Sequence, residues 1–169
     1  LFVLGTAPFE AVSKYTLSVL PLFVLMGNLA NRANLSRNLY DAAYAVVGHY
    51  KGGLAMSTVG ACAGFGMICG SSIATAATMS QMAGPEMKRH GYSDALISGS
   101  VASGGTLGII IPPSVILIIY AYLTEQSRQQ LFFAALIPGL IAVVLYMIAI
   151  RVYLVTVSYT HLTLPTTSF

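Results

Sequence analysis

Four stretches of the chain run almost without charge: Tyr15–Asn31, Gly52–Pro85, Ala95–Thr124 and Leu131–Ile150. An α-helix rises about 1.5 Å per residue and the hydrocarbon of a bilayer is about 30 Å thick, so roughly 20 apolar residues make one crossing. Leu131–Ile150 fits that length and predicts a spanning helix over about 131–150. Tyr15–Asn31 is shorter, carries Pro21 near its start and crosses only with its flanks. Gly52–Pro85 is too long, roughly 51 Å as one straight helix, so it must break. The break falls at Gly70-Ser71-Ser72, where glycine weakens the helix and the serines offer the backbone competing local hydrogen bonds. Each half, Gly52–Cys69 and Ile73–Pro85, is then a short helix, and the pair can either cross the membrane or return to one side.

Charge decides between the two. Lys51 precedes the stretch and Lys88 and Arg89 follow it, and basic residues favour the cytoplasmic side of a membrane. The segment therefore reads as a re-entrant hairpin over about 52–85 with its tip at Gly70-Ser71-Ser72. On this reading Arg32, Arg37, Lys51, Lys88, Arg89 and Arg151 are cytoplasmic, which leaves only Lys14 and Arg128 of the eight basic residues outside. The assignment needs a helix over about 34–50 at the cytoplasmic interface. Leu35, Leu39, Ala42, Ala43 and Val46 recur there at helical spacing, opposite Arg37 and Asp41, as in an interfacial or linker helix.

Ala95–Thr124 is also overlong and contains Pro112-Pro113. Each proline removes the donor to the carbonyl four residues earlier, so the oxygens of Gly108 and Ile109 lose their helix partners. This predicts a broken helix over about 95–124. Unsatisfied carbonyls in hydrocarbon cost several kcal/mol, so such breaks persist where protein, water or an ion satisfies them.

Composition agrees with lipid as the solvent. The chain is 56% hydrophobic and 8% charged, against roughly 25% charged in an average soluble domain. The formal charge of +3 is scattered singly, which is no nucleic-acid footprint. Cys62 and Cys69 sit among small apolar residues and read as packing residues. His49, His90 and His161 offer no ligand set. Leu1 is not an initiator and no signal peptide precedes the first apolar run, so the chain reads as an internal fragment. Residues 1–155 form its transmembrane part, while the uncharged, threonine-rich residues 156–169 read as a non-native tail.

Two broken segments in one chain suggest the chemistry of secondary transporters, whose ion and substrate sites form where discontinuous helices meet near the midplane. Ser71, Ser72 and Thr75 would face the carbonyls of Gly108 and Ile109 and the hydroxyl of Ser114. These hard oxygen ligands suit Na⁺, and no acidic residue lies between Gly52 and Pro85 to relay protons. The pairs Gly60/Gly64, Gly66/Gly70 and Gly104/Gly108, each four apart, permit close helix approach and by themselves read as packing.

The order Pro21-Leu-Phe-Val-Leu-Met-Gly27, Lys51-Gly-Gly-Leu-Ala55, Phe65 to Gly70-Ser-Ser-Ile-Ala-Thr75, Pro85-Glu-Met-Lys-Arg-His-Gly-Tyr92, Ile111-Pro-Pro-Ser114 and Phe132 to Pro138-Gly139 resembles the large membrane subunit of TRAP (tripartite ATP-independent periplasmic) transporters, over about residues 15–150. The resemblance implies an all-α, polytopic, Na⁺-coupled elevator transporter of two inverted repeats, of which this chain supplies most of the first. It implies a multi-pass protein of a bacterial or archaeal cytoplasmic (inner) membrane. The implied partners are a small membrane subunit and a periplasmic substrate-binding protein delivering a small organic acid, such as a dicarboxylate or sialic acid. Carried onto this chain, Gly70, Ser71 and Ser72 become the hairpin tip, and Pro112, Pro113 and Ser114 the broken-helix partner around Na⁺, with no other cofactor. Ser72 and Thr75 are the substrate candidates. Three rivals remain. A potassium-type channel lacks the rest of its filter after Ser57-Thr-Val-Gly-Ala61, and a serine hydrolase lacks a base at the depth of Ser71 and Ser72, so no catalytic residue is expected. A structural subunit without Na⁺-coupled transport predicts that Ser71 and Ser72 tolerate alanine.

Overall fold

Residues 15–50 and 52–160 are described by a computed structural model, and every regular element among them is a helix. In chain order these are α1 (Tyr15–Arg32), α2 (Leu35–Val47), α3 (Gly53–Cys69), α4 (Ser72–Arg89), α5 (Asp94–Ile110), α6 (Val115–Leu123) and α7 (Arg128–Thr160). Lys14, Lys51, His161 and the last part of the expected tail lie outside the described residues.

The breaks obey local chemistry. Gly70 ends α3 at φ 58°, a left-handed conformation that glycine adopts without penalty, and its N–H closes onto the Gly66 carbonyl at 2.7 Å. Ser71 then turns extended and caps α4, its Oγ accepting from the Ala74 N–H at 3.4 Å. Ser93 caps α5 in the same way through Leu96, with Asp94 in the first turn. The second arm does not stop at Pro85 as expected; α4 continues to Arg89. The proline leaves only the Gln81 carbonyl without its helix donor, and Gln81 is exposed. Gly91, at φ 75°, makes the turn instead.

α3 and α4 run antiparallel. Thr58, one turn into α3, donates to the Leu54 carbonyl at 2.8 Å and its Oγ1 lies 3.6 Å from the sulfur of Met87 near the end of α4, so the two arms meet again at their base. Tyr92, just past that base, is partly buried, and burial pushes its phenol above its ordinary pKa. α5 fills the cleft between the arms. Its Gly104 faces Cys62, Gly105 faces Ala76 and Gly108 faces Gly66, while Phe65, Met79, Met87, Leu107 and Val59 complete the buried core. Small residues let these backbones approach, and the resulting dispersion contacts replace a hydrophobic driving force that lipid does not provide.

α2 lies lengthwise along α3, Leu39 over Gly64 and Ala43 over Gly60. It buries Ser36 and Tyr40, whereas Ala42 and Val46 of the expected apolar stripe are exposed. α7 is longer than the predicted span, since it starts at Arg128 and continues past Arg151 to Thr160. Its apolar part, Arg128–Thr156, is long enough to cross a membrane, and only 6% of its most apolar window is buried by the rest of the chain. α5 and α6 pass as one broken span bent by 40°. α1 is not apolar enough by that measure, with Asn28, Asn31 and Arg32 in its final third. The Arg151 guanidinium lies 4.9 Å from the Tyr50 ring, beside the start of α3, and Arg128 occupies the other end of α7.

Candidate ion and substrate site

The hairpin tip and the break in the α5–α6 helix meet. Between α5 and α6 the chain runs through Ile111, the cis peptide Pro112-Pro113 and Ser114. Val115, the first residue of α6, has no helical acceptor within its own segment and donates instead to the carbonyl of Gly70 at 3.3 Å. That bond ties one break to the other.

The approach is close on the α5 side as well. A Cβ on Gly108 would stand 2.8 Å from Thr75 Oγ1 and 3.1 Å from the Ser71 carbonyl oxygen, so only glycine fits there. A Cβ on Gly105 would come to 3.3 Å from the Ser72 carbonyl. Thr75 is fully buried and donates to the Ser71 carbonyl at 2.7 Å, which fixes the first turn of α4. Exchanging Thr75 for valine, which keeps shape and loses the donor, should cost about 0.5–1.5 kcal/mol of stability. Thermal unfolding of the full-length protein checks this; an unchanged transition would show the bond to be idle.

Two hydroxyls in the site are uncommitted. Ser114 is fully buried and its Oγ has no hydrogen-bond partner among the described residues. Ser72 is half-buried at the start of α4, and its side chain makes no hydrogen bond within the described chain. Of the expected site residues, Gly70, Ser71, Ser72, Thr75, Gly108 and Ser114 therefore come together. Pro112 is buried and Pro113 half-buried, and the two form the break itself; Ile109 is half-buried on the last turn of α5. A buried hydroxyl in the same break as prolines that deprive the Gly108 and Ile109 carbonyls of their helix donors supplies hard oxygen groups, the type that fits a hard cation. Sequence reasoning named Gly66 among the pairs that permit close approach and missed Gly105, although the Gly104/Gly108 spacing pointed at this face.

A helical hairpin whose tip is bonded to the break of a second, bent helix is an arrangement that helical membrane proteins with discontinuous helices use to build their sites. The chain belongs to the family described as "Tripartite ATP-independent periplasmic transporter, DctM component", which matches residues 2–164. It is 42% identical over 144 residues to the "C4-dicarboxylate TRAP transporter large permease protein DctM" of Pseudomonas aeruginosa, covering 85% of this chain and 34% of that protein. It is 33% identical over 140 residues to the "Ectoine/5-hydroxyectoine TRAP transporter large permease protein UehC" of Ruegeria pomeroyi, covering 83% of this chain and 33% of that protein. With the "Sialic acid TRAP transporter permease protein SiaT" of Haemophilus influenzae it shares 30% identity over 131 residues, 78% of this chain and 21% of that protein. The chain thus spans about a third of the length of the first two. All three are named as permeases; none is named as an enzyme.

Proposed function

We propose that this chain is the tip-and-break half-site of a Na⁺-coupled permease that imports a small organic acid across a bacterial or archaeal inner membrane. It is part of a longer protein, and the complete transport cycle belongs to that protein. The observation that carries the reading is the Gly70–Val115 bond beside the buried, unpartnered Ser114 hydroxyl. In this proposal α3 and α4 enter and leave the membrane from the cytoplasmic side, and the first inverted repeat moves as an elevator. Ser114, with the carbonyls of Gly108 and Ile109 and the tip at Gly70, Ser71 and Ser72, would hold Na⁺. Pro112 and Pro113 keep those carbonyls free.

The same geometry supports a reading of the substrate end. The first turn of α4 leaves the amides of Ser72 and Ile73 without internal acceptors, and its positive dipole end favours a carboxylate. Ser72 would contact the substrate directly, while Thr75 holds the turn in place. The relatives are named for a C4-dicarboxylate, ectoine and sialic acid, so the proposal is a substrate class, organic acids of modest size, and not one compound. A periplasmic binding protein would deliver it, and a small membrane subunit would complete the complex.

Uptake into proteoliposomes by the full-length protein with its partners tests the coupling. Replacing Na⁺ by K⁺ should reduce uptake at least tenfold; equal flux in both salts would refute Na⁺ coupling. Sidedness has a separate test, since cysteines placed at Lys51 and at Lys88 should both label from the cytoplasm.

A further inference from the structure

Beside the hairpin base, away from the ion site, a cavity of about 540 Å³ opens between α2 and the second half of α4. Its wall carries both signs of charge: Arg37 and Asp41 from α2, Glu86 and Arg89 from α4. Arg89 and Glu86 pair at 3.8 Å, whereas Arg37 and Asp41 have no ion-pair partner among the described residues. Tyr44 lines the mouth and is 44% exposed, and Tyr40 forms part of the wall, 7% exposed. The Tyr40 hydroxyl faces Thr58 without completing a hydrogen bond.

We propose that this cavity binds the zwitterionic headgroup of a phospholipid, its phosphodiester on Arg37 and Arg89 and its ammonium on Asp41, Glu86 and the face of Tyr44. Four arguments lead there. Two guanidiniums suit a phosphate, which accepts paired N–H donors, and their fork is weakly hydrated and tolerates partial burial. Two carboxylates in the same wall cancel the formal charge, so an anionic lipid would meet as much repulsion as attraction. An ammonium gains from both the carboxylates and a tyrosine face. Tyr44, Tyr50 and Tyr92 all lie at this end of the hairpin, and tyrosines gather at the depth of lipid headgroups. This placement rests on the membrane orientation proposed above.

The test uses the full-length permease, purified from a membrane containing phosphatidylethanolamine, phosphatidylglycerol and phosphatidylcholine in equal amounts. Native mass spectrometry should find the two zwitterionic lipids, phosphatidylethanolamine and phosphatidylcholine, retained at least fivefold above phosphatidylglycerol. Arg37→Gln combined with Arg89→Gln should remove that enrichment, and Lys88→Gln, whose lysine pairs with Asp94 at 3.3 Å, should keep it. Asp41→Asn combined with Glu86→Gln leaves a cationic wall and should turn the preference toward phosphatidylglycerol. An excess of soluble glycerophosphoethanolamine should displace less than a tenth of the lipid, since it lacks the acyl chains; full displacement would make the cavity a site for a soluble ligand. Equal retention of all three lipids, or enrichment that survives the double arginine variant, would overturn the proposal. Lipid retention is read without Na⁺ or substrate. Enrichment in a protein whose uptake is Na⁺-independent would therefore support this site while the transport reading fails.

Discussion

Full-length permease carrying Gly66→Leu is expected to be lost from the folded fraction, with transport abolished. A Cβ at Gly66 would stand 2.6 Å from the Gly108 Cα and 3.0 Å from the Gly108 nitrogen. Both are backbone atoms of α5, so no side chain can rotate away, and α5 would have to separate from the hairpin. Overpacking a core with side-chain freedom costs about 1–3 kcal/mol, and a clash of Cβ on fixed backbone exceeds that range. The same separation would pull Gly108 from Thr75 and the tip from the break. Gly60→Ala is the control, because its Cβ would meet the Ala43 Cβ and the Met147 Cε at ordinary distances of 3.4 and 3.5 Å. Detergent-extracted protein followed by size-exclusion chromatography and thermal unfolding separates the two. Equal stability of Gly66→Leu and Gly60→Ala would refute the close approach of α3 and α5.

Ser114→Ala gives the second large effect, and here stability and function should move in opposite directions. A buried hydroxyl without a partner costs about 1–3 kcal/mol, so its removal should raise the unfolding temperature measured without Na⁺. If Ser114 is an ion ligand, the same change should weaken the Na⁺ dependence of uptake at least tenfold and remove the thermal stabilisation that Na⁺ gives the wild-type protein. A purely structural Ser114 predicts the rise in stability with uptake and Na⁺ response unchanged. That outcome would take the ion away from this break. The measurement is a pair of unfolding curves, with Na⁺ and with K⁺, on each protein, together with uptake at varied Na⁺.

Much of this fold is legible in the chain because its punctuation is chemical. Gly70-Ser71 and Pro112-Pro113 stop helices for reasons that hold in any surroundings, and the helices begin and end within a few residues of those positions. Length errors arise where a rule depends on surroundings. Pro85 does not end α4, because the carbonyl it orphans belongs to exposed Gln81. The polar residues that seemed to bound the last span, Arg128 and Arg151, are good helix formers and lie inside α7. The apolar stripe of α2 was only half right. Leu39 and Ala43 pack, whereas Val46 is 69% exposed and Tyr40 takes a buried place. Periodicity shows that a helix has two faces, but the contour of α3 decides which residues it covers.

The sequence alone determined that the chain is helical, belongs with lipid and breaks twice, at Gly70-Ser71-Ser72 and at Pro112-Pro113. Those features follow from charge content, from helix rise against bilayer thickness, and from backbone groups that glycine and proline free. Only the tertiary structure decided that the two breaks touch, that the Gly70 carbonyl takes the Val115 N–H, and that Thr75 is committed to Ser71 while Ser114 and Ser72 are not. The physical reason is range. Helix breaking is local, but the fate of a freed hydrogen-bonding group depends on what the fold brings within hydrogen-bonding distance of it, here across more than forty residues of intervening chain.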